Sequence, residues 1–159
     1  MTSIGFRAEK DAINWAVVSK SGDALRLDAH GCINASVGDR DAECLAHFRK
    51  EVLLLVEQYK PTVAYVRTPE TYNRRAQSVV RANSSDSRLR VEGVILEACY
   101  STGAKTLSGL LNAISHRIGS DSAKDYLSAD SLREIKWPKK DTLCREAILA
   151  AVAGVEENQ

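Results

Sequence analysis

The sequence predicts an α/β fold, a single domain built on a mixed five-stranded sheet flanked by helices. Three observations carry this. Three β-type segments crowd into the first thirty residues. A long helical pattern then ends at Pro61 and releases at once the strand-like run Thr62-Val63-Ala64-Tyr65-Val66. Helix, short strand and helix follow in the second half of the chain, the alternation that leads to parallel pairing.

The opening segments are residues 3–8 and 12–20, separated by Glu9-Lys10-Asp11, and residues 25–30, reached through Ser21-Gly22-Asp23. Leu25 and Leu27 alternate with Arg26 and Asp28, which predicts a strand with one wet face. Beyond a loop around residues 31–38, Asp39 or Asp41 is placed to cap a helix. Leu45, Phe48, Val52, Leu55, Val56 and Tyr59 recur there at helical spacing. This helix acts as a crossover, so the strand at 62–66 is expected beside and parallel to the first one. The run has no alternation and predicts burial on both faces, and it delivers Arg67 to the carboxyl end of the sheet, where sites gather in open α/β sheets.

Residues 68–87 are polar and fit a long loop, a short helix at 74–81, or both. A second helix is predicted over 88–100, with Leu89, Val91, Val94, Ile95, Ala98 and Cys99 covering so wide an arc that the helix should be well buried. Gly103 is placed to stop it. A fifth strand is expected at 104–107, a short helix at 110–118, and a last helix from 142 to about 155 capped by Asp141. The chain reads as one domain over 1–155 with residues 156–159 frayed.

Composition narrows the function classes. Of the 159 residues, 44% are apolar and 27% charged, and the net charge is +1, so nothing global points to nucleic acid, a membrane or an acidic partner. Cys32, Cys44, Cys99 and Cys144 form no CxxC pair and read as small apolar residues in a reducing compartment. There is no basic segment followed by an apolar one at the N-terminus, and no long apolar run, so a cytoplasmic protein is expected. The three histidines lack ligand-spaced partners, and phosphate-binding glycine loops are absent from the sequence. Trp15 and Trp137 read as packing anchors.

Short segments add a family likeness. Ile4-Gly5-Phe6-Arg7 on the first strand, Val91-Glu92-Gly93-Val94-Ile95-Leu96 on the second long helix and Glu146-Ala147-Ile148-Leu149-Ala150-Ala151 on the last helix resemble the corresponding stretches of RuvC-type resolvases. The element order is similar to that of the RNase H-like fold. The resemblance implies a nuclease with two divalent ions held by carboxylates on the first strand, at the end of the fourth strand and on the last helix. This chain departs at the first two places, which read as Arg7 and Arg67. A guanidinium is always charged and cannot ligate a cation.

Two readings follow. The leading one is a RuvC-type protein without a working metal centre or cofactor, which binds nucleic acid through Arg7, Arg67, Arg74, Arg75 and Arg81. Between residues 67 and 90 there are six arginines, no lysine and only Glu70 and Asp86 as acids, with Tyr72 as a stacking surface. In that reading Glu92 or Glu146 serves as ion-pair partner to Arg7 or Arg67, because a buried arginine needs a carboxylate. The alternative is a Mg²⁺-dependent nuclease built on Glu70, Glu92 and Glu146. A homodimeric protein-interaction module is the third.

Overall fold

The computed structural model describes residues 1–36, 41–69, 79–138 and 141–156, with the side chains of 79–85 outside the description. The chain opens with three antiparallel strands, β1 (Thr2–Ala8), β2 (Ala12–Ser21) and β3 (Ala24–Asn34). Helix α1 (Asp41–Tyr59) crosses over to β4 (Val63–Arg67), and α2 (Val79–Ser101) leads to β5 (Lys105–Gly109). Two short helices follow, α3 (Leu111–Arg117) and α4 (Ala123–Ser128). A small hairpin of β6 (Ser131–Leu132) and β7 (Ile135–Lys136) precedes the final helix α5 (Thr142–Val155).

The strand order of the five-stranded sheet is β3-β2-β1-β4-β5, with β1 parallel to β4 and β4 parallel to β5. The expected mixed sheet and its parallel central pair are therefore present. Alternation divides β1 between two cores. Ile4, Phe6 and Ala8 join Phe48, Val52, Val91 and Ile95 under α1 and α2. Ser3, Gly5 and Arg7 face α5 on the other side. Strand β4 repeats the division, with Ala64 and Val66 toward α1 and α2, and Tyr65 toward α5.

Helix α5 lies closer to β1 than ordinary side chains allow. A Cβ at Gly5 would stand 2.2 Å from the Ala147 carbonyl oxygen and from the Ala151 nitrogen, so only glycine fits. The Ala and Gly run of the helix presents a thin surface to match, and Asp141 caps its start by accepting a hydrogen bond from Leu143 N at 3.1 Å. The helix runs antiparallel to β1, from Glu146 beside Arg7 to Gly154 beside Ser3.

Several boundaries differ from expectation. Strand β3 continues past Gly31 to Asn34, because Gly31 pairs with Trp15 and leaves room for the indole; a Cβ there would come within 2.8 Å of the ring. Helix α2 begins at Val79, well before residue 88. Its first turns lack apolar periodicity, and extending an existing helix backward costs far less than nucleating one. Its later half is less enclosed than the composition implied: Leu89 is exposed, and only Val91, Glu92, Ile95, Ala98 and Cys99 are buried. Residues 120–138, weakly patterned in sequence, form α4 and the hairpin and seat Ala123, Leu132 and Ile135 against α5.

Glu156, expected to fray, is held by Lys20 Nζ at 2.5 Å and by Arg133; residues 157–159 lie outside the described part. None of the four cysteines forms a disulfide. Cys99 and Cys144 are buried as expected, whereas Cys32 is exposed. Burial pushes the Cys99 thiol up to about 12. No helix among the described residues is long and apolar enough to cross a membrane.

Candidate functional site

Side chains converge at the carboxyl ends of β1 and β4. Arg7 and Arg67 are register partners on these parallel strands, and both face α5, the same distance along the sheet. Glu146, one turn into α5, receives them both. Arg7 donates from Nε to Glu146 Oε2, and Arg67 Nε lies 3.4 Å from the same oxygen. Arg7 also reaches Glu9 Oε1 with Nη2 at 3.2 Å and donates to the Ala8 carbonyl, while Arg67 donates to the carbonyl of Thr68. All three principal side chains are buried, with exposures of 7% for Arg7, 4% for Arg67 and 8% for Glu146.

Helix α2 closes the other side with Arg88 and Glu92. They are one turn apart, and Arg88 Nε stands 3.6 Å from Glu92 Oε1, beyond hydrogen-bond distance. Neither atom finds a hydrogen bond among the described residues. Burial raises the Glu92 carboxyl above its ordinary range despite the pull of Arg88, Arg7 and Arg67. Burial likewise lowers the Arg88 guanidinium, with Arg7 adding to the effect. Both shifts oppose ionisation, so this pair is a weak one. Arg88 Nη1 also approaches Glu9 Oε1, at 3.9 Å, which makes Glu9 the link between the two halves of the network.

This donor set does not fit a divalent cation. Three guanidiniums stand among three carboxylates, and Glu146, which a metal would need, is already engaged by two positive charges. Among the described residues no group of three His, Cys, Asp or Glu side chains could hold a metal ion. Glu146 thus has both of the arginine partners expected of a carboxylate here, whereas the arginine within salt-bridge distance of Glu92 among the described residues is Arg88 rather than Arg7 or Arg67. Glu70, Arg74 and Arg75 lie outside the described residues, and Arg81 is placed on α2 without its side chain. Arg7 and Arg67 are committed inward. In sequence Glu9 marks only the break between the first two strands, since nothing in its neighbours signals that Arg7 and Arg88 both reach it.

No protein-family model matches the sequence, and no curated protein does. Solved structures do resemble the fold. The chain superimposes on Thermus thermophilus RuvC in complex with Holliday junction substrate with a TM-score of 0.73 at 14% identity, covering 96% of this chain and 92% of that one. A second Thermus thermophilus RuvC structure gives 0.73 at 17% identity over the same shares. The yeast mitochondrial Holliday junction resolvase gives 0.61 at 10%, covering 95% of this chain and 76% of that one. The chain has an RNase H-like fold. Within that class the fold is of the RuvC type, over nearly the whole chain.

Proposed function

We propose that this chain is a RuvC-type nucleic-acid-binding protein that does not cut its ligand by two-metal chemistry. The observation that carries the proposal is the single carboxylate of Glu146 held between Arg7 and Arg67. Two guanidiniums next to a cation position would each oppose a divalent ion, and the opposition is strong where burial weakens screening. The nucleic-acid half is supported by the RuvC-type fold, one of whose neighbours is described with Holliday junction substrate, and by the arginine-rich segment that follows β4. Because Arg7 and Arg67 are buried and engaged, phosphate contact is assigned to Arg74, Arg75 and Arg81, where positive charge attracts the backbone without reading its bases.

The test pairs two assays on the full chain. Branched, duplex and single-stranded DNA and RNA are incubated with Mg²⁺ or Mn²⁺, and their binding is measured at low salt. Binding without cleavage is expected. Metal-dependent cleavage lost in Glu92→Gln or Glu146→Gln would establish the nuclease alternative instead, and absence of binding at low salt would turn the assignment toward a protein-interaction module.

A further inference from the structure

Arg117 stands apart from the network at the strand ends. It closes α3 beside β5, the edge strand of the sheet, with its guanidinium carbon 5.9 Å from the centroid of the Tyr65 ring. Its Nε donates to the Ala153 carbonyl at 2.7 Å, in the last turn of α5. These two contacts hold the guanidinium in place. Its four remaining N–H donors make no hydrogen bond among the described residues, and no described carboxylate lies within salt-bridge distance. Arg7, Arg67, Arg88 and Arg133 each have one.

Arg117 borders an open groove of about 350 Å³ that is also lined by Tyr65, Leu107, Ser108, Ala113 and His116. The Tyr65 residue against which the guanidinium lies is itself buried, so one side of the charge faces an aromatic ring rather than open solvent. We infer that this groove is a phosphate-binding subsite, with Arg117 as the principal donor and Ser108 and His116 at its rim. A planar fork of N–H groups, fixed in advance and with no acid beside it among the described residues, matches the oxygens of a phosphate and loses little freedom on binding it. The inference is independent of the function proposed above, since none of these residues belongs to the strand-end network or to the segment after β4.

The experiment follows the backbone amides of Ser108 and His116 by NMR while the protein is titrated at low ionic strength. Inorganic phosphate, a mononucleotide and a short oligothymidylate are the separate ligands, with chloride as the control. Saturable shifts with phosphate are expected, weakened tenfold or more in Arg117→Gln and in Ser108→Asp. The second variant places a carboxylate at the exposed rim, so its melting temperature should be unchanged, which protects the test if Arg117→Gln folds poorly. Tighter binding of the oligothymidylate at these amides would identify a strand as the source of the phosphate, and tighter binding of the mononucleotide a free nucleotide. Shifts that chloride reproduces, that never saturate, or that persist in Ser108→Asp would overturn the subsite. Oligonucleotide binding that survives in both variants leaves the function proposed above standing while this site falls.

Discussion

Arg7 and Arg67 stand side by side as register partners on two parallel strands and share one oxygen of Glu146. Two buried cations this close are tolerable only with that carboxylate between them. Glu146→Gln should cost about 3 to 5 kcal/mol, the range for removing one member of a buried ion pair. Chemical denaturation checks this. A loss under about 1 kcal/mol would mean that Glu9 alone balances the arginines.

Glu92 gives the protein a pH response of definite sign. Burial raises its folded-state pKa above the unfolded value, against the nearby arginines. Its contribution is therefore fully present below the unfolded pKa and is lost as pH rises through the folded one. Glu92→Gln, which cannot ionise, should gain stability relative to the parent as pH rises from the ordinary glutamate range to neutrality. Denaturation midpoints of both proteins across that interval measure the difference, and parallel curves would contradict it. Glu156 acts oppositely: burial pushes it up, but hydrogen bonds from Lys20 and Arg133 prevail and lower it, so its contribution is lost as pH falls through its folded pKa.

Charge inversion at both strand ends should create a divalent-cation site at Glu146. The double variant Arg7→Asp with Arg67→Glu would place two new carboxylates beside Glu146, a donor set suited to Mn²⁺ or Mg²⁺. Calorimetric titration with Mn²⁺ should show binding in the double variant and none in Arg7→Asp alone. In the single variant Arg67 still faces Glu146 at 3.4 Å and opposes the ion. Equal metal binding by the single variant would show that Arg67 can swing away.

Binding through the segment after β4 should respond to salt. Each neutralised phosphate releases counterions, so the logarithm of affinity falls against the logarithm of salt by roughly 0.7 to 0.9 per contact. Replacing Arg74, Arg75 and Arg81 by alanine should flatten the slope by about two to three units with little change in sequence preference. Identical slopes for parent and variant would leave these arginines as a solvated face.

Gly5→Ala tests how closely α5 is seated. The added methyl would meet the backbone of Ala147 and Ala151 at 2.2 Å, where no flexible side chain can yield. A destabilisation of about 3 kcal/mol is expected, at the upper end of the usual cost of overpacking. Thermal melting would reveal it, and a neutral effect would mean that the helix can move outward freely.

The central architecture was legible in the residues. The apolar run before Arg67, released at Pro61 from an amphipathic helix, admits little but a buried strand parallel to the first, and short-range spacing alone determined that much. The arginines at the strand ends were legible as well, because Arg7 and Arg67 stand at the ends of two identifiable strands. Local pattern could not reach the partners. Glu146 lies 139 residues from Arg7 in sequence, and its choice over Glu92 depends on α5 lying close against Gly5, so that its first turns reach the strand ends. The same holds for Glu9 between Arg7 and Arg88, for Trp15 over Gly31 and for Arg117 above Tyr65. Periodicity along the chain decides which face of an element is buried, whereas the pairing of charges across elements is settled only when packing sets their distance and removes the water between them.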